Sequence, residues 1–283
     1  MQDNNMEKRK IRVAILDLYE GQANQGLRCI RGLLQDFAKA EDISVHTDEF
    51  DVRAKNEIAD ISYDIYISTG GPGSPITSEG SDWETRYFGM IEDIRRHNML
   101  YPDNKKSVFL ICHSFQIFCR YYGLGNVSRR KSPSFGVMPV HQVVAGTHEP
   151  FFEGLDNPFW AVDSREYQVT SPDLKKIRAM GGDVLCIEKY RPHVRLERCV
   201  MAIRFDDAFF GVQFHPEADS TGMLHHMKTE EKKSQVIANF GEEKYNMMLD
   251  QLDDPEKIRL THDTIIPLFL KSAISADKDL ILK

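Results

Sequence analysis

Three times in its first half the chain repeats one arrangement: a short apolar run, a polar or glycine-bearing turn, then apolar positions at helical spacing. IRVAILDL, at 11–18, is rich in β-branched residues and precedes Leu27, Ile30, Leu33, Leu34 and Phe37, which fall on one face of a helix. YDIYIST, at 63–69, runs into GGPGSP and then a helix carrying Tyr87, Ile91 and Ile94, with Ser81 and Glu84 at capping-box spacing. SVFLIC, at 107–112, leads into HSFQIFCRYYG, which ends at Gly123 as a C-cap. ISVHTDEFDV, at 43–52, supplies one more strand. Such alternation predicts an α/β fold, a parallel sheet with helices on both faces. Sheets of this kind bind ligands at the carboxyl ends of their strands. GGPGSP and Cys112 both fall at such ends.

The second half reads differently. SFGVMPVHQVV (134–144), FWAVDS (159–164), DVLCIEK (183–189), CVMAIRF (199–205) and FFGVQF (209–214) are strand-like with short connections. Asp206 and Asp207 suit a tight turn between the last two. These segments are expected to add antiparallel strands to the sheet. From Asp219 the composition shifts to charged helix, with 223–252 rich in Met, Lys and Glu. Asp254-Pro255 marks a helix start, and Pro267 should kink or restart that helix. The expected organisation is a polar tail over 1–10, one α/β domain over 11–218, and a C-terminal helical extension over 219–283 packed on or beside it. The ends, 1–9 and 275–283, are expected to fray.

Composition removes several function classes. Lys and Arg total 36 against 43 Asp and Glu, a net charge of -7, so no global field draws the chain to nucleic acid. No stretch approaches the roughly 20 apolar residues of a membrane span. The opening MQDNNMEKRK lacks the apolar core of a signal peptide. Five scattered cysteines form no CxxC pair, which argues against a zinc site and a disulfide framework and for the reducing cytoplasm. His225 and His226 are adjacent and face different directions on a helix, with no third ligand evident. No metal or other cofactor is expected.

Three segments carry chemistry. Cys112 ends a strand and opens a helix, where the next backbone N–H and the positive helix end favour a thiolate and a developing oxyanion. In QFHPE, His215 can deprotonate a thiol, and Glu217, on the same side of an extended segment, can hold the imidazole's tautomer. In TGGPGSP, glycines let backbone N–H groups approach a substrate oxygen closely. The order along the chain is loop, thiol, then the His/Glu pair on the final strand.

With these motifs in this order, the chain resembles the class I (triad) glutamine amidotransferases, in particular the GMP synthase-like glutamine amidotransferase domain. The family's oxyanion loop reads STGGPGSP here, its GxCxGxQ elbow reads LICHSFQ, and its closing segment reads GVQFHPEA. The resemblance spans about 11–218. It implies a flavodoxin-like, mostly parallel sheet, and hydrolysis of the glutamine side-chain amide through a thioester, with release of ammonia. By position it makes Cys112 the nucleophile, His215 the general base and acid, and Glu217 the orienting carboxylate. Gly71 and His113 would supply the oxyanion N–H groups, and Gly73, Gln116, Arg165 and Tyr167 would bind substrate. Arg165 stands where the family has His; it can pair with a substrate carboxylate, or form a surface ion pair.

The elbow departs from the family pattern. Leu110 replaces its first glycine and Ser114 its second. Serine is small enough to fit; leucine would shift the bend or crowd the pocket. Neither a GxxxxGK[ST] loop nor an ATP-pyrophosphatase loop is present, so ammonia would pass to a separate synthetase or acceptor subunit, or a free γ-glutamyl compound would simply be hydrolysed. Two alternatives stay open. YYGLGN and the elbow also resemble homoserine O-acyltransferases, and a catalytically degenerate binding or regulatory subunit would keep the same fold.

Overall fold

Nine strands form one sheet in a computed structural model that describes residues 8–193 and 195–275. The first half gives β1 (Lys10–Asp17), α1 (Gln25–Ala40), β2 (Ser44–Asp51), β3 (Ile65–Ser68), α2 (Asp82–Leu100), β4 (Ser107–Ile111) and α3 (His113–Tyr121). The second gives β5 (Asn126–Gln142), β6 (Phe159–Thr170), α4 (Leu174–Ala179), β7 (Asp183–Glu188), β8 (Val200–Arg204) and β9 (Phe209–Val212). The chain then continues as α5 (Ser220–Met227), α6 (Glu230–Phe240), α7 (Glu242–Asp253) and α8 (Pro255–Ile274).

The sheet order is β2-β1-β3-β4-β9-β8-β7-β5-β6. The strands from β2 to β9 pair in parallel, and those from β9 to β6 pair antiparallel. β9 is therefore the seam. It lies beside β4, so the two segments that end at Cys112 and lead to His215 run side by side.

The central strands are apolar throughout because both faces are covered. Val13, Ile15, Ile67, Phe109 and Ile111 point to the side of α1 and α8, with Ile30, Leu33, Ile266, Phe269 and Leu270. Leu16, Tyr66, Val108 and Leu110 point to the other side, with Tyr87, Ile91, Phe115 and Phe118 from α2 and α3. A third cluster joins Phe135, Val137 and Val162 of the antiparallel strands to Met227, Val236, Tyr245 and Met248 of the helical extension.

Some local expectations change. β5 begins at Asn126 rather than at 134, because a register shift between Arg129 and Ser134 carries the charged RKSP stretch as a bulge. Ser81 is the N-cap of α2, yet its side chain makes no capping bond; Glu84, the other half of the expected box, pairs with Arg120 instead. Pro267 neither breaks nor restarts α8, which runs unbroken around it. Its missing N–H removes one helix bond. Ile265, Ile266, Phe269 and Leu270, all buried, hold the flanking turns against the sheet. The C-cap of α3 is Tyr122, and Gly123, the next residue, takes the left-handed φ of 60° that ends the helix.

Candidate active site

Cys112 is the residue between β4 and α3, at φ 49° and ψ −92°. A non-glycine residue in that region is strained, and strain of this kind marks the sharp bend that lifts a nucleophile clear of its strand. Two contacts fix the bend from below. The Cys112 N–H donates to Val212 O at 2.8 Å, and its carbonyl accepts the Gln116 N–H at 3.0 Å. Ser114 is the third: its hydroxyl accepts from the Ile111 N–H at 2.8 Å and donates to Ser68 O at 2.8 Å. The serine in place of glycine thus ties the elbow to β3.

Leu110 packs into the core. It is fully buried in the core beneath α2 and α3, and its register partners are Ser68 on β3 and Gly211 on β9. A Cβ on Gly211 would lie 2.8 Å from Phe115 Cδ2 and Phe205 Cε2. Phe115 and Phe205 pack over the bare Gly211 backbone beside it.

The thiol of Cys112 faces Ser164 O at 3.8 Å and receives Gln213 Nε2 at 3.6 Å. His215 comes in from the end of β9, where its N–H donates to Val162 O at 2.8 Å. Its Nδ1 lies 2.8 Å from Glu217 Oε1; a carboxylate there makes Nδ1 the donor and leaves Nε2 as the other ring nitrogen. Burial opposes a charge on His215, but the Glu217 carboxylate and the Cys112 sulfur outweigh it and raise the imidazole pKa well above its ordinary value. The imidazole is thus set to hold a proton between the Cys112 sulfur and the Glu217 carboxylate.

The Gly-rich loop passes over this centre. A Cβ on Gly70 would meet His215 Cε1 at 2.9 Å and Cys112 Cβ at 3.6 Å. Gly71 is packed so closely on β1 that a Cβ there would lie 2.3 Å from Leu18 O. His113 opens α3, so its N–H has no acceptor within the helix. Its side chain is buried away from catalysis: burial, with the charges of Arg53 and Arg120, lowers its pKa to about 3.

The expected substrate-binding residues divide. Gln116 is buried, and its Nε2 donates to Gln213 Oε1 at 3.0 Å, so it orients the amide that touches the thiol. Gly73 stands at φ 84° on the loop. Arg165 is placed otherwise: it is neither free for a substrate carboxylate nor part of a surface ion pair. Its guanidinium is buried, with Nε 2.8 Å from Asp163 Oδ1 and Nη2 3.4 Å from Glu188 Oε1. Burial alone would raise the Asp163 pKa; the Arg165 charge and the bonds from Arg165 and Ser134 bring it below its ordinary value. Tyr167 is half-buried on β6, opposite Arg129, and its carbonyl accepts from Arg165 at 3.4 Å.

The glutamine amidotransferase class-I family matches residues 28–233. The chain belongs to this family. No curated protein matches it. Among solved structures, a Thermotoga maritima glutamine amidotransferase is 16% identical, covers 94% of this chain and 98% of its own, and superposes with a TM-score of 0.65. A Methylobacillus flagellatus glutamine amido transferase follows at 12% identity, 93% and 95% coverage, and TM-score 0.59. The Trypanosoma brucei CTPS glutaminase domain with bound acivicin matches at 15% identity, 92% and 94% coverage, and TM-score 0.53. At these identities the likeness concerns the fold.

Within this class-I fold, three residues near the centre were not singled out from the sequence. Gln213, fully buried, is the amide against the thiol; a polar residue inside the apolar run FFGVQF was its signal. Tyr19 follows β1, and a Cβ on Gly26 would lie 3.0 Å from its hydroxyl and 3.3 Å from Glu217 Oε1. Burial, then the charges of Glu217 and Cys112, push the phenol pKa well above its ordinary value, so Tyr19 stays neutral beside the pair. His262 of α8 bonds the Glu217 carbonyl through Nδ1 at 2.9 Å. Among the described residues, no group of three His, Cys, Asp or Glu side chains could hold a metal ion, and no helix is long and apolar enough to cross a membrane.

Proposed function

We propose that this family member is a cytoplasmic glutaminase subunit: it hydrolyses the side-chain amide of glutamine at Cys112 and passes ammonia to a separate acceptor enzyme. The observation that carries this is the convergence of a strained Cys112 with the His215–Glu217 pair under a glycine loop. Five free cysteines and a thiol nucleophile suit a reducing compartment.

In the proposed reaction His215 takes the Cys112 thiol proton, and the sulfur attacks the amide carbon. The carbonyl oxygen becomes an oxyanion held by the Gly71 and His113 N–H groups. His215 returns its proton to the nitrogen as the C–N bond breaks, releasing ammonia and leaving a γ-glutamyl thioester. Water, deprotonated by the same imidazole, attacks the thioester. The second tetrahedral intermediate expels the thiolate, giving glutamate. Glu217 keeps Nδ1 protonated throughout. Gln213 donates to the sulfur and Gln116 holds Gln213 in place. Gly73 and Tyr167 would line the glutamine-binding side.

The test incubates the protein with glutamine, alone and with a cell lysate supplying acceptor, and measures glutamate and ammonia against Cys112→Ala. Wild type is expected to exceed the variant in at least one condition. Equal rates in every condition would reject the proposal. Labelling of Cys112 by a glutamine analogue separates a catalytic subunit from a degenerate one, and acylation of homoserine from acyl-CoA would favour the acyltransferase alternative.

A further inference from the structure

We infer that Arg53 is a positioning residue for the oxyanion site, holding the 70–73 backbone so that the Gly71 N–H is presented beside Cys112. The inference rests on the acyl-transfer reading of Cys112 and not on glutamine as the substrate.

Arg53 lies just beyond β2, and its side chain is 10% exposed. One nitrogen, Nη1, donates to Leu18 O at 3.1 Å and to Pro72 O at 2.6 Å. The other, Nη2, lies 3.0 Å from Glu20 Oε2. The guanidinium therefore bolts the glycine loop to the end of β1. The glycines allow it: a Cβ on Gly71 would lie 3.3 Å from Nη1, and one on Gly73 3.4 Å from Nη2.

The loop's other carbonyls are also held. The Thr69 hydroxyl accepts the Leu18 N–H at 2.9 Å and donates to Gly70 O at 2.8 Å. In a trans peptide the N–H points opposite to the carbonyl. With Gly70 O turned to Thr69, the Gly71 N–H faces the other way. Arg120 of α3 binds Pro75 O and Glu84 on the far side. Carbonyls at 70, 72 and 75 are each held by a side chain, and Gly70 stands against Cys112 and His215. Without Arg53 the Pro72 and Leu18 carbonyls lose their shared donor, Thr69 alone holds the Gly70–Gly71 peptide, and the Gly71 N–H is aimed less firmly at the reacting oxygen.

Two reactions of Cys112 separate this role from a general structural one. Acylation by 4-nitrophenyl acetate forms an S–C bond at a carbonyl carbon, passes through an oxyanion and expels 4-nitrophenolate. Alkylation by iodoacetamide displaces iodide with no oxyanion. The Cys112 peptide is followed by mass spectrometry, because four other cysteines are present. Arg53→Ala and Arg53→Met are expected to slow the nitrophenolate burst about 10- to 100-fold, less than the roughly 100- to 1000-fold cost of removing an oxyanion donor outright. Alkylation of Cys112 should stay within about twofold, since a group outside the alkylation path contributes little to it. Arg53→Lys should restore most of the burst, because a single nitrogen makes both carbonyl bonds. An unchanged burst in Arg53→Ala, an equal fall in both reactions, failure of all three variants to fold by circular dichroism, or a wild type with no burst would each overturn the inference. A wild type that gives the burst yet releases no ammonia from glutamine refutes the proposed substrate alone.

Discussion

Replacing Leu110 by alanine and by glycine asks whether the leucine at the elbow hinders the site or supports it. Leu110 is fully buried among Leu16, Tyr87, Phe115 and Phe118, on the face of the sheet away from α1. Truncating such a leucine to alanine costs about 2–5 kcal/mol through lost burial and a residual cavity. Glycine adds about 0.5–1 kcal/mol of backbone entropy, so Leu110→Gly should lose roughly 3–6 kcal/mol. Restoring the family's own residue is thus expected to harm this protein. Gly211→Ala is the reciprocal change: its Cβ would lie 2.8 Å from two aromatic rings, and overpacking of this kind costs about 1–3 kcal/mol. Because Phe115 could move into the space vacated by Leu110, the double variant should be more stable than the sum of the singles implies, by about 0.5–3 kcal/mol. Urea midpoints at constant slope measure all five proteins, wild type included. Ammonia release per folded molecule should stay within about threefold of wild type, as the side chain touches no proposed reacting group. A Leu110→Gly protein that keeps its stability and gains tenfold or more in rate would refute this reasoning and show that Leu110 crowds the pocket.

Other perturbations reach the centre directly. Gly70→Ala places a methyl 2.9 Å from His215 Cε1, and is expected to lower ammonia release about 100-fold with a small shift in Tm, as misplacing a catalytic group by about 1 Å does. Loss of stability without loss of rate would contradict that. His113 has a folded pKa of about 3 against an ordinary 6.5, so the folded state binds fewer protons between those values. The stability this contributes is fully present above pH 6.5 and falls away toward pH 3, by up to about 1.4 kcal/mol per pH unit. His113→Leu should flatten that limb of a urea-midpoint profile; parallel profiles would count against it. His262→Ala removes the bond to the Glu217 carbonyl and should cost about 1 kcal/mol, with kcat falling more than KM rises. A change in KM alone would place His262 on the substrate side.

The proposed triad could be read from the sequence because each member sits in a short local motif at a strand end. Cys112 closes an apolar run, and QFHPE places His215 and Glu217 two residues apart. What lay beyond reach was set by distant partners. Arg165 in SREYQV read as a substrate contact or a surface ion pair, yet it is buried and paired with Asp163 and with Glu188 on β7. β6 runs to Thr170 because β5 begins early, at Asn126, and RRKSP shows no alternation that would announce a bulged strand. Arg53 carries no motif either. Its meaning comes from Leu18 and Pro72, remote in sequence and adjacent only once β1, β2 and β3 are laid in parallel.

The same logic alters the standing of the segment after Ala218. By composition it reads as an appended helical extension, but its parts have unequal ties to the sheet. α5, α6 and α7 gather over Phe135, Val137 and Val162 at the antiparallel end. α8 belongs to the central core: Ile265, Ile266, Phe269, Leu270 and Ile274 pack with Phe109 of β4 and Phe210 of β9. Burying five such side chains contributes about 7–15 kcal/mol before entropy is counted. That is comparable with the whole stability of a typical domain, about 5–15 kcal/mol. Phe109 and Phe210 lie on the two strands that deliver Cys112 and His215, and His262 fastens Glu217 from the same helix. α8 therefore holds together the strands beneath Cys112 and His215, and the geometry of the proposed triad depends on this helix as much as on the motifs that announce it.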